Sequence, residues 1–281
     1  MKQVGIIGAG IMGTGIAQVA AQYGYQVVLV DLEVTILEHA RENICRNIKI
    51  QALYNNQEVL PEEIMEKIEF TTDYKKLEDV DILIENIIED IDKKHKLYEK
   101  ISNICKEDCI FAVNTSCISI TKIASKTSRA DKVIGTHFMN PVPMKLIVEV
   151  VKGYHTSQET IDKTLSFLNS IGKSGILVND MPGFVSNRIS HLLINEAAYV
   201  IQDQVASAED VDTIFKKCFG HKMGPLETAD LIGLDVVVAS LNILYNSYQD
   251  SKYRACPLLT KMVDAGLFGM KSGHGFYEYM N

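Results

Sequence analysis

The chain has 281 residues, 47% hydrophobic and 23% charged, and a formal net charge of −8. That length suits one to two domains around a large core, and the balance is that of an ordinary globular protein rather than a disordered one. The acidic surplus argues against a nucleic-acid binder, because phosphate binding draws on Lys and Arg, and no run approaches the roughly 20 apolar residues that span a bilayer.

Residues 3–8, QVGIIG, form an apolar run bounded by glycine, the pattern of a strand buried on both faces. AGIMGTGIAQVAAQYG then carries apolar residues at helical spacing and stops at Gly24, and YQVVLVD (25–31) is a second β-branched run. Strand, helix, strand is a βαβ unit, which implies a parallel sheet. Residues 33–68 are largely helical in period, with a turn around 54–56 and a restart at Pro61. IEFTT (68–72), VDILIEN (80–86), DCIFAVN (108–114) and KVIGTHF (132–138) are predicted strands, separated by helices such as 91–105 and 119–127. LIVEVVKG (146–153), a helix over 157–171 and GILVND (175–180) follow. After PGF (182–184) the chain reads as consecutive amphipathic helices, 187–204, 207–219, 227–248 and 256–266, with Ser207 as an N-cap before acidic residues. The expected fold is α/β: a Rossmann-type dinucleotide-binding domain over 1–181, then an all-α domain over 182–281.

GAGIMG (8–13) is a G-x-G-x-x-G loop that leaves a predicted strand and opens a predicted helix, with Asp31 closing the next strand. Gly8 permits the tight turn, Gly10 lets the backbone approach a pyrophosphate, and Gly13 lets helix and strand pack closely. The helix N-terminus offers free N–H groups to the anion. Asp31 accepts from a ribose diol and repels a 2′-phosphate, and Leu32-Glu33 supply no arginine, so NAD is expected over NADP. The cysteines (Cys45, Cys105, Cys109, Cys117, Cys218, Cys256) lack zinc-site spacing, so no metal is expected. With no secretion signal, thiols in a reducing cytoplasm are the economical reading.

Six stretches, VGIIGAGIMGTGIA (4–17), VNTSCISIT (113–121), GTHFMNPVP (135–143), PGFVSNRI (182–189), MGPLETADLIGLD (223–235) and GMKSGHGFYEY (269–279), resemble the L-3-hydroxyacyl-CoA dehydrogenase family, in order and along nearly the whole chain. The resemblance implies reversible hydride transfer between NAD and C3 of a 3-hydroxyacyl thioester, most simply 3-hydroxybutyryl-CoA, by a homodimer joined through its helical domain. It puts the catalytic histidine at His137, its partner at Glu149, and the groups on the reacting oxygen at Ser116 and Asn187. Cofactor contacts fall on Gly8, Gly10, Ile11, Met12, Gly13, Asp31, Glu89, Lys94, Asn114 and Asn140, and a substrate contact on Lys49. The chemistry suits these types. Removing a hydroxyl proton as hydride leaves carbon needs a base of near-neutral pKa, and a carboxylate on the other ring nitrogen fixes the tautomer. Ser116 and Asn187 can bond an oxygen whose charge changes.

Blander readings stand beside these. Ser116 can simply end a strand, Asn187 can cap a helix, and Lys94 and Glu89 lie in what reads as a charged helix, where solvated residues are the norm. His191 reads as a core or interface histidine, and Cys117 as a neighbour of the site rather than a nucleophile.

Departures from the family pattern bear on the substrate. The usual lysine-rich stretch toward the coenzyme A phosphates is here NIKIQALYNNQE (47–58), with Lys49 retained and Ala52 and Leu53 in place of paired lysines. In PMKLIVE (143–149) the lysine moves one place, to Lys145, which on a strand means the opposite face. Cys117 stands where a second serine is common, and Asn86 replaces a small residue. These changes keep open the same chemistry on a 3-hydroxyacyl or glyceryl-type group carried by an acyl-carrier protein in a biosynthetic pathway, docked for instance at Lys216, Lys217 and Lys222. A non-catalytic NAD-binding structural protein is the alternative of another class, against which the complete Ser116, His137, Glu149 and Asn187 set speaks.

Overall fold

The computed structural model describes residues 2–55 and 60–279, without the side chains of 52–55. The expectations for Ala52, Leu53 and Asn56 therefore lie outside the described residues. Two compact units divide the chain, Met1–Met181 and Pro182–Asn281.

The first unit runs β1 (Gln3–Ile7), α1 (Ile11–Gln22), β2 (Gln26–Val30), α2 (Val34–Asn55), α3 (Pro61–Met65), β3 (Ile68–Thr71), β4 (Ile82–Glu85), α4 (Ile91–Ile101), β5 (Ile110–Val113), α5 (Ile120–Ala124), β6 (Val133–His137), β7 (Ile147–Lys152), α6 (Gln158–Ser170) and β8 (Ser174–Asn179). The strands form one eight-stranded sheet in the order β3-β2-β1-β4-β5-β6-β7-β8. The central strands β4 and β5 are buried throughout, as their unbroken apolar runs require. Val4, Ile6, Leu29, Ile84 and Ala112 meet the helices in a shared core. Helices α4 and α5 stop short of 105 and 127, because their carboxyl ends tighten into i→i+3 turns at Asn103, Ile104, Lys126 and Thr127.

One strand corrects the expectation of a parallel sheet. β7 runs antiparallel to β6. A parallel crossover needs a dozen or more residues and usually a helix, whereas the connection from His137 to Ile147 holds only a single 3₁₀ turn, Val142–Met144. The reversal sets His137 directly opposite Glu149. The same turn revises the reading of Lys145, which closes it ahead of β7 and is exposed, so the opposite-face argument does not apply.

In the second unit α7 (Ser186–Gln202), α8 (Ala208–Cys218), α9 (Pro225–Ile232), α10 (Leu234–Tyr248) and α11 (Pro257–Asp264) surround a core that includes Ile194, Ala229, Val237 and Leu259. Ser207 caps α8, accepting from the Asp210 N–H at 3.1 Å. The segment 227–248, expected as one helix, breaks at Gly233, whose φ of 103° no helix accommodates, and α9 and α10 meet at 97°. Among the described residues no single helix is long and apolar enough to cross a membrane.

Two buried aspartates explain the glycine- and tyrosine-rich carboxyl-terminal motif. Asp230 accepts from the N–H groups of Phe276 and Tyr277 and the Tyr279 hydroxyl, each at 3.0 Å, and a Cβ on Gly275 would lie 2.1 Å from its carboxylate. Asp212 accepts from the Leu226 and Glu227 N–H groups and the Tyr277 hydroxyl at 2.7–2.9 Å. The Asp212 carboxylate thus sits at the N-terminus of α9, where the helix dipole favours it.

Candidate active site

Strand order reverses direction beside β1, between β2 and β4, and such a switch point opens a crevice at the carboxyl ends of the strands. The glycine loop lies there. Gly8 has φ 92°, and a Cβ on Gly13 would fall 1.8 Å from the Gly8 carbonyl oxygen, so both glycines are sterically required. At Gly10 a Cβ would meet nothing within 4 Å, and no side chain caps the start of α1. That open N-terminus presents its N–H groups to an anion. Ile11, in its first turn, is 77% exposed.

Asp31 follows β2 and holds the loop: its carboxylate accepts from Ala9 N–H at 2.6 Å and Leu32 N–H at 2.7 Å. Each oxygen keeps a lone pair for a ribose hydroxyl. A cavity of ≈ 570 Å³ opens beside it, lined by Gly8, Gly10, Asp31, Tyr74 and Lys96 among others. On the other side of the loop a cavity of ≈ 400 Å³ is lined by Gly10, Thr14, Arg46 and Asn140 among others. These features fit NAD: a cradle for pyrophosphate and acceptors for the adenosine ribose.

The expected acid–base residues of the first unit meet at the end of β6. His137 Nδ1 lies 2.8 Å from Glu149 Oε2, with both residues buried. A carboxylate only accepts, so Nδ1 carries the proton and Nε2 is left as the acceptor. Ser116, in the loop after β5, stands with Oγ 3.3 Å from that Nε2. The ring is therefore fixed on one side and presents its basic nitrogen beside a hydroxyl on the other. Asn187 lies in the first turn of α7 in the second unit, half-buried, and its carbonyl accepts from His191 Nδ1 at 3.0 Å. Lys49 is exposed on α2.

Other expected residues brace this edge. Glu89 is in the loop before α4, not in a helix, and Asp90 is the cap that starts α4. The Glu89 carboxylate accepts from the Thr115 hydroxyl, from Ser116 N–H at 3.0 Å and from Cys117 N–H at 2.9 Å, so it sets the turn that presents Ser116. Asn114 donates to Asn86 Oδ1 at 2.7 Å and accepts from Phe138 N–H at 3.2 Å, tying together the ends of three strands. Lys94 is not solvated as its charged surroundings suggest. It is 0% exposed, and its ammonium donates to both oxygens of Glu85 at 2.7 and 2.9 Å. Burial pushes the Glu85 carboxyl up, against the pull of Lys94 and the Ile87 N–H. Sequence reasoning missed Glu85, although a carboxylate closing an otherwise apolar strand was its signal. It also missed Lys173, which reads as an ordinary turn lysine after Gly172.

A switch-point glycine loop with a ribose acceptor defines an NAD-dependent oxidoreductase. Family-level comparison matches residues 3–181 to "3-hydroxyacyl-CoA dehydrogenase, NAD binding domain" and residues 183–279 to "3-hydroxyacyl-CoA dehydrogenase, C-terminal domain". The chain is 43% identical over 278 residues to the 3-hydroxybutyryl-CoA dehydrogenase of Clostridioides difficile, covering 99% of each chain. With the mitochondrial hydroxyacyl-coenzyme A dehydrogenase of Homo sapiens it shares 37% identity over 99% of this chain and 91% of that one. The crystal structure of (S)-3-hydroxybutyryl-CoA dehydrogenase from Ralstonia eutropha superposes with a TM-score of 0.95 at 39% identity over 100% of both chains. The chain belongs to the 3-hydroxyacyl-CoA dehydrogenase family.

Proposed function

We propose that this protein interconverts a 3-hydroxyacyl-CoA and the 3-ketoacyl-CoA, most simply 3-hydroxybutyryl-CoA, with His137 moving the proton. The observation that carries the reading is the Glu149–His137–Ser116 chain at the carboxyl edge that also bears the glycine loop. NAD, when bound, supplies the hydride acceptor. In the oxidising direction His137 Nε2 takes the C3 hydroxyl proton, Ser116 Oγ bonds that oxygen, and Glu149 stabilises the resulting imidazolium. Reduction returns the proton by the same route. Ile11, Met12, Asn114 and Asn140 flank the cofactor, and Glu89 contributes by fixing the Ser116 turn. The parts assigned to Asn187 and Lys49 rest on the resemblance alone, as does the homodimer, and a cytoplasmic location rests on the scattered cysteines.

The names of the curated relatives support the short CoA thioester as substrate. The test is a panel: purified protein, NADH, and either acetoacetyl-CoA or the same acyl group on a carrier protein, followed by loss of NADH absorbance. Turnover with acetoacetyl-CoA is expected. Turnover with the carrier thioester alone would replace CoA by a carrier protein, and NADH binding without turnover on either would favour the structural reading.

A further inference from the structure

Lys173 stands between α6 and β8 and is 4% exposed, yet its ammonium meets no carboxylate among the described residues. It donates instead to two backbone carbonyls, Val142 and Lys145, both at 2.7 Å. Burial lowers its pKa, as expected for an ammonium without a counter-charge. A buried charge is costly, and an aliphatic residue would pack in the same space without that cost. What only the ammonium supplies is a pair of charge-assisted bonds that hold two carbonyls of one turn at a fixed spacing.

That turn, Val142–Met144, is the connection between His137 and Glu149. Its other side is seated on α1, where a Cβ on Gly15 would lie 3.0 Å from Val142 Cβ. The turn is thus held between the helix that starts at the glycine loop and the Lys173 ammonium. The segment that leads into the turn carries Asn140, which lines the cavity beside the glycine loop.

We propose that Lys173 is a positioning residue for proton transfer: its ammonium clamps the β6–β7 turn and so fixes the His137–Glu149 pair against the cofactor loop. This rests on the reading of His137 as the acid–base group. Misplacing reacting groups by about 1 Å costs up to about 100-fold in rate. Lys173→Ala is therefore expected to lower kcat by roughly 10- to 100-fold, with the thioester KM nearly unchanged. Ethylammonium chloride, filling the space left by the side chain, restores part of kcat saturably, and sodium chloride of equal ionic strength does not. Lys173→Met keeps the packing but not the donor, and is expected to lose kcat without rescue, which keeps the test open if the alanine variant does not fold. Unchanged kcat in either folded variant overturns the proposal, as does a loss that follows the unfolded fraction or an alanine variant that ethylammonium does not rescue. Activity retained by His137→Gln would instead sink the acid–base reading itself.

Discussion

Two buried pairs, each of a basic side chain and a carboxylate, stand at the carboxyl edge of one sheet, and they differ in whether they are closed. Lys94 and Glu85 have side chains 0% exposed, and both carboxylate oxygens face the ammonium. His137 and Glu149 keep a trace of exposure, 7% and 9%, and only one ring nitrogen faces the carboxylate. The other nitrogen faces Ser116. An ammonium directs its donors outward from one atom, whereas an imidazole has two distinct ends, so the first pair braces a loop while the second fixes one end of the ring, as the proposed acid–base role requires. The difference is between an ammonium that spends its donors on one carboxylate and an imidazole whose second nitrogen faces a hydroxyl, the arrangement the proposed proton transfer uses.

Breaking each pair should separate chemistry from stability. His137→Gln is expected to lower turnover by about 10²- to 10⁴-fold while NADH affinity stays nearly unchanged. Equilibrium binding checks the second half, and a large loss of NADH affinity in folded protein would refute the assigned role. Lys94→Met leaves a buried carboxylate uncompensated and should cost about 3–5 kcal/mol in urea unfolding. Adding Glu85→Gln should recover most of that loss, because no lone charge then remains. If Lys94→Met instead weakens NADH binding without changing stability, the expected cofactor contact replaces the brace. Glu149→Gln removes the charge that faces the imidazolium and lets an amide N–H donate to Nδ1, which favours the wrong tautomer, so turnover should fall by up to about 10⁴-fold. Unchanged kcat there would reduce Glu149 to packing.

The elements were legible wherever local pattern decides. The strand and helix cores fall where apolar runs and periods put them, and the roles of Gly8 and Gly13 follow from a spacing that admits no side chain. The reversal of β7 was hidden because an apolar run reads alike in either direction. The kink at Gly233 was hidden because helical period continues across it. At the site, His137 and Glu149 were suggested by resemblance, and their antiparallel register adds why they touch. Glu85 and Lys173 were invisible because their partners, a lysine one helix away and two carbonyls about thirty residues back, are set by tertiary packing. A charge pattern along the sequence cannot distinguish such residues from solvated ones.

A third pair, more open than either, sharpens the comparison at the opposite edge of the sheet. Asp81 precedes β4 and accepts from Lys106 Nζ at 2.6 Å and from the N–H groups of Lys2 and Gln3, with the two side chains 27% and 39% exposed. Partial burial opposes its charge, but these donors outweigh it and hold the carboxyl at about 2, below the ordinary 3.8. The folded state therefore prefers the carboxylate, so its contribution is complete above about pH 4 and fades as pH falls through about 2. Solvent screening keeps that contribution within about 1 kcal/mol. Asp81→Asn should be less stable than the parent near neutral pH, and urea midpoints of the two should converge toward about pH 2. A gap that stays constant down to that pH would mean that the carboxylate acts by shape rather than charge. Convergence would show that the carboxylate acts through its charge, and that the most exposed of the three pairs tunes only the acid limb of stability.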